Sequence, residues 1–199
     1  MDVGPLVVRS VVGGLFVGHG TQKLFGWFGG PGRAGTEAMM DALQMRPVKT
    51  QALVAGLGEA VGGALLAAGL ATPLASSMIT ASMATAIRKV HLPNGPWVSN
   101  GGWEYNAVLI AAVLSVAETG PGALSLDRAL GIERRGAGWA LAAGAVGAGA
   151  AVLAMTLGAR GEGAPAAQGG AAGGDDAAAG EAVEAAQGDT AGDPTTSGA

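Results

Sequence analysis

Five stretches of this chain, about residues 4 to 26, 52 to 70, 74 to 90, 103 to 118 and 138 to 157, are apolar enough to be read as membrane spans. Crossing about 30 Å of hydrocarbon at 1.5 Å per residue takes about 20 residues, so the first, second and fifth fit best. The third and fourth are short. They are retained because Ala71, Thr72 and Pro73 read as a tight turn with proline at a helix start, and because the fourth can begin inside GGWEY. Inside the apolar stretches stand groups that hydrocarbon rejects: His19, Gln22 and Lys23 in the first and Glu59 in the second. A charge near the middle of an isolated span costs about 2.5–3.5 kcal/mol on insertion scales, so each marks a functional position by default.

The composition agrees with helices packed closely in a membrane: 49% hydrophobic residues, 13% charged and 37 glycines among 199 residues. The net charge of -4 has its source in the tail. Residues 161–199 hold seven acids and no Lys or Arg, leaving eleven bases against eight acids in residues 1–160. That modest excess suits anionic headgroups and gives no basic stripe, so no nucleic-acid partner is expected. Cysteine is absent, which removes disulfides, thiolate catalysis and thiolate-held metal clusters from this polypeptide. MDVGPLVVRS lacks the basic region and cleavage site of a secretory signal, so the first apolar segment is expected to stay as a span.

The residues between the spans carry their own pattern. After the first span, aromatics and glycines lead into a short amphipathic helix, Thr36–Leu43, that Thr36 is placed to cap. Trp27, Phe28, Trp97, Trp103 and Tyr105 fall beside span ends, where amphipathic rings favour the headgroup layer; stacking on a cofactor is the alternative for Trp27 and Trp103. After the fourth span, ETGPGALSLDRALGIERRG reads as a turn followed by a basic amphipathic stretch lying on a membrane surface. Its cluster Arg128, Arg134 and Arg135 leans toward that loop and the N-terminus being cytoplasmic. The fifth span has no interior charge and reads as an accessory anchor. From about residue 159 the chain is acidic and rich in Ala and Gly, with nothing to build a core, and is expected to be disordered.

Residues three and four apart share a helix face, so His19, Gln22 and Lys23 form one polar patch. Glu59 lies among Gly56, Gly58, Gly62 and Gly63, and the spacing of Gly58 and Gly62 allows a neighbouring helix to press close. The third span ends in Arg88 and Lys89 with His91 just beyond, and Glu104 opens the fourth. With alternating spans, all these groups reach one membrane side and can converge in a pocket. Acids facing bases lower the burial cost, and such a pocket suits an anion or a quinone headgroup, with His19 or His91 relaying protons. Snorkelling of Lys23, Arg88 and Lys89 to the headgroups, and a purely structural bond from Glu59, stay open beside it. Haem held by the two histidines is disfavoured, since no C-x-x-C-H motif exists and placement near span ends argues against a shared plane for the two rings.

The ordered series GLFVGHGTQKLFGWFGGPG, GLGEAVGGALLAAGLATPLAS, MATAIRKVHLPNG, GGWEYNAVL and ETGPGALSLDRALG resembles the DoxX family of membrane proteins over roughly residues 4–132. The resemblance implies an all-α integral membrane protein: a four-helix transmembrane bundle over residues 1–132 with a loop at 26–51. To this the chain adds a fifth transmembrane helix at 133–158 and the tail at 159–199. It implies characteristic polar positions at His19, Gln22, Lys23, Glu59, Arg88, His91 and Glu104. It also implies a redox setting in the plasma membrane, since relatives serve as membrane subunits of thiosulfate:quinone oxidoreductase or take part in oxidative-stress complexes.

The leading expectation is therefore a membrane subunit of a quinone-linked oxidoreductase system. His19, Lys23, Glu59, Arg88, His91 and Glu104 are the candidate catalytic residues, with Gln22, Lys89, Trp27 and Trp103 contacting the cofactor. The expected partners are the lipid bilayer and a soluble redox protein, and self-association stays open. A non-enzymatic scaffold anchoring a soluble redox enzyme is the alternative, and a small anion carrier a weaker one, since no inverted repeat or broken helix pair is visible.

Overall fold

The computed structural model describes residues 3–160, which contain helices and turns and no strand. The acidic tail, apart from its first two residues, lies outside the described residues. Three long helices, α1 (Val3–Phe25), α3 (Val48–Ala68) and α7 (Ala137–Arg160), are long and apolar enough to cross a membrane by length and composition. Between them stand α2 (Gly32–Ala42), α4 (Thr72–Ala86), α5 (Glu104–Thr119) and the single turn α6 (Leu126–Ala129). At 15 and 16 residues, α4 and α5 are short for a span. However, α4 runs on without a break into a π-helical turn, Ile87–His91, so its helical course is about 30 Å long.

Large apolar side chains are exposed along the long helices, among them Val11, Leu15, Val54, Leu57, Leu141, Val146 and Leu153. Water would penalise so much apolar surface, whereas lipid accepts it. Inside, Val12 and Phe16 of α1, Leu66 of α3, Ala75 and Ile79 of α4, and Leu109, Val113 and Val116 of α5 form the principal core. A second cluster, Met40, Met45 and Ala52, packs the α2–α3 connection against Ala154 of α7. α7 lies along α4 and α5, and its end is tied to the bundle by Gln51 Nε2 donating to Ala154 O and Arg46 N–H donating to Gly158 O. It is therefore packed into the bundle, where the sequence suggested an accessory anchor.

The closest pairing is α1 against antiparallel α3, and glycine makes it possible. A Cβ on Gly13 would stand 2.6 Å from Gly63 O, one on Gly20 would stand 2.3 Å from Ala60 N, and one on Gly63 would stand 2.6 Å from Gly13 O. Backbone cannot yield to such contacts as a flexible side chain can. The expected pair Gly58 and Gly62 is not the contact. Gly58 meets nothing within 4 Å and Gly62 faces Met78 of α4. Two positions four apart in α3 point toward different neighbours here, because the close approach to α1 follows a seven-residue spacing, Gly56 and Gly63.

At the end away from the polar patch, α3 stops at Gly69 (φ 61°) and α4 starts from Ala71, whose φ of 47° is unusual for a residue with a side chain. Asp127 holds that turn. Its carboxylate accepts from Ala71 N–H (2.7 Å), Thr72 N–H (3.0 Å) and Thr72 Oγ1 (2.7 Å). Arg9 of α1, buried, donates to Ala67 O at the end of α3 and to Leu124 O. The stretch read as a basic amphipathic segment on a membrane surface is thus a single four-residue helical turn anchored inward by Asp127, with Arg128 and Arg135 outside, paired with Glu133.

Candidate functional site

Glu59 is the most enclosed charge of the polar patch, 5% exposed on the face of α3 that meets both α1 and α4. Its Oε2 accepts from Lys23 Nζ and its Oε1 from Ser82 Oγ at 2.8 Å, so one carboxylate joins three helices. Gly56, one turn before Glu59, leaves the space that Leu24 and the Lys23 stem fill: a Cβ there would lie 2.7 Å from Leu24 and 3.5 Å from Lys23 Cβ. The Lys23 side chain is 20% exposed and its amine has three donors, one of them spent on Glu59. The pair is therefore closed on the acid's side and open on the amine's.

His19 lies one turn earlier on α1, exposed, with Nδ1 3.2 Å from Gln22 Oε1 and its ring edge-on to Phe16 at 6.4 Å between centroids. Thr36, expected as a cap, is instead buried inside α2. Pro31 precedes that helix, and the Thr36 hydroxyl donates to Gly32 O (2.7 Å) and Lys23 O (3.2 Å), which fastens α2 to the end of α1. A hydroxyl four residues past a helical carbonyl bonds back to it readily, and here that satisfies a side chain with no water to meet.

The other candidates do not touch this pair. Lys89 Nζ donates to Leu43 O at 3.0 Å, whereas Arg88 is exposed. His91 Nδ1 lies 2.8 Å from Gly101 O and so carries its proton there, and Glu104 Oε1 accepts from Val98 N–H at 2.8 Å. Both close the α4–α5 loop on itself. Trp27 is exposed and tilted against Phe25, and Trp103 is half-buried just before α5. Beside the end of α4, a cleft of about 270 Å³ is lined by Arg88 and Lys89 on one wall and by Val152, Met155, Thr156 and Ala159 of α7 on the other.

Ser82, Arg9 and Asp127, which hold helices together through side-chain hydrogen bonds, escaped the sequence reading. Ser82 carries no charge, and only its place on α4 opposite Glu59 gives it away. Arg9 and Asp127 organise the far end. A lone base two turns into a span, mirroring Lys23, was the available signal for Arg9. For Asp127 it was Ser125 two residues ahead, whose hydroxyl accepts from Arg128 N–H as the cap of α6.

Helices sheathed in apolar side chains around a buried ion pair define an all-α membrane protein. More particularly, residues 4–92, from α1 to the π-helical turn, match the family model described as DoxX. The match includes Lys23, Glu59, Ser82, Arg88 and Lys89 and stops short of Glu104. No curated protein and no solved structure matches the chain.

Proposed function

We propose that this protein is the membrane subunit of a redox system and that Lys23, held by Glu59, forms the polar end of a quinone headgroup site. The observation that carries the proposal is the Glu59 carboxylate fixed between Lys23 and Ser82 within apolar helices. Charges at such depth are costly and are kept where they act. The residues present fit the group: Lys23 keeps two N–H donors and partial exposure, which is what a carbonyl oxygen arriving from the lipid side requires.

A quinone, when bound, carries two electrons and two protons. For its part, Lys23 donates a hydrogen bond to a headgroup oxygen and offsets negative charge there. Glu59 aims Lys23, and Ser82 and the α1–α3 glycine contact keep Glu59 in place. His19, exposed one turn away, is placed to pass protons between the headgroup layer and the site. With no cysteine and no nucleotide-binding glycine motif, the chain draws electrons from a partner. The redox and quinone properties that the family resemblance implies favour this reading over a purely structural ion pair.

The test is to quantify quinone in organic extracts of wild type and Glu59→Gln, purified in mild detergent at equal yield and monodispersity. The expected result is near one quinone per chain in wild type and at least about tenfold less in the variant, the worth of one hydrogen bond to a charged group. Background levels in both overturn the proposal.

A further inference from the structure

We infer that the cleft between the end of α4 and α7 is a separate site for a phosphate-bearing anion, supplied as the headgroup of an anionic phospholipid. Arg88 and Lys89 form its polar wall, and no acid lines it. Arg88 has no ion-pair partner among the described residues, and Lys89 spends one of three donors on Leu43 O. Two adjacent cations without a counter-charge bind an anion and gain little from a neutral headgroup. An Arg beside a Lys also offers a planar fork and a point charge to the same phosphate.

The opposite wall gives the source. Val152 is 57% exposed, Thr156 and Ala159 are exposed, and Met155 is half-buried, all on a helix apolar enough to cross a membrane. Thr156 Oγ1 already donates to Leu153 O at 3.0 Å, so this wall presents mainly methyl and methylene groups. The cleft therefore opens on the lipid-facing side of α7, with cations at the last turn of the α4 course, at the depth where headgroups lie. A glycerol and the first acyl carbons can rest against Val152 and Met155 while the phosphate meets Arg88 and Lys89. This site is distinct from the Lys23–Glu59 pair and stands whether or not quinone binds there.

The full-length protein in mild detergent is titrated with phosphatidylglycerol, phosphatidylcholine and inorganic phosphate in parallel, reading bound lipid by native mass spectrometry and the melting temperature. Phosphatidylglycerol is expected to bind one per chain and raise the melting temperature, with phosphatidylcholine much weaker. Arg88→Gln combined with Lys89→Gln should weaken it about 30-fold, each cation being worth about fivefold at an anionic surface. Val152→Trp, which fills the mouth from a lipid-facing position and removes no charge, should weaken it too, and Glu59→Gln should leave it unchanged. Equal binding of the two lipids by wild type, or full retention of phosphatidylglycerol by both cleft variants, overturns the site. A response to inorganic phosphate that matches or exceeds that to phosphatidylglycerol overturns the lipid as its source.

Discussion

At the scale of single residues, the Lys23–Glu59 pair is asymmetric, and the asymmetry decides how each partner responds to removal. Glu59 is buried, whereas Lys23 has a long stem and partial exposure. Lys23→Met strands a carboxylate with only Ser82 to bond it, and the cost should be about 3 kcal/mol, as for a buried pair that loses one member. Glu59→Gln keeps an acceptor for Ser82 and leaves Lys23 free to extend toward the headgroups, so it should cost only about 1 kcal/mol. Unfolding midpoints of both variants in the same detergent check this. A larger loss from Glu59→Gln would mean that the lysine cannot reach water and that the pair is sealed on both sides. Asp127 shows a buried acid with a different task. All its carboxylate hydrogen bonds go to the N-terminal turn of α4, so it behaves as a cap from a distant segment, and nothing in its immediate sequence points to the helix it serves.

At the scale of elements, the glycines divide into those that bring helices together and those that do not. Gly63→Ala places a methyl group against the α1 backbone and should cost about 2 kcal/mol, a typical overpacking penalty. Gly58→Ala meets open space and should be neutral or stabilising by up to about 1 kcal/mol, since alanine is the better helix former. Melting temperatures of the two single variants should therefore move in different directions or by clearly different amounts; equal losses would mean that α1 and α3 are not paired through Gly63. α1, α3 and α7 could be read from the sequence because length and apolarity specify a span, whereas α4 and α5, too short for that argument, were legible from Pro73 and GGWEY at their starts. Lys23 and Glu59 stood out because charge inside such a span is rare. What the sequence withheld depends on helix rotation: Gly58 and Gly63 have the same chemistry, and only the packing tells them apart. His91 and Glu104 were placed in the pocket on the same side-of-membrane argument, which fixes the end of the bundle that a residue reaches and leaves open which neighbour it bonds. The backbone of the α4–α5 loop was the nearer partner for both.

At the scale of the whole molecule, the two ends of the bundle are built differently. One holds the Lys23–Glu59 pair, the cationic cleft and the α4–α5 loop, while the other is locked by Arg9 and Asp127 onto the α3–α4 turn. This arrangement requires α5 to carry the chain from one end to the other, although its 16 residues rise only about 24 Å against about 30 Å of hydrocarbon. Local thinning of the bilayer and the ring of Trp103 at its start can make up the difference, at fractions of a kcal/mol per Å of mismatch. The chain has no cysteine, so single cysteines report position without further engineering. Phe28→Cys, Val98→Cys and Leu124→Cys all replace exposed residues outside the long helices. In sealed vesicles of one orientation, a membrane-impermeant maleimide should label the first two from one side and Leu124→Cys only from the other. Labelling of Val98→Cys and Leu124→Cys from the same side would show that α5 does not cross, and the polar pair and the Arg9–Asp127 lock would then have to share one face of the membrane.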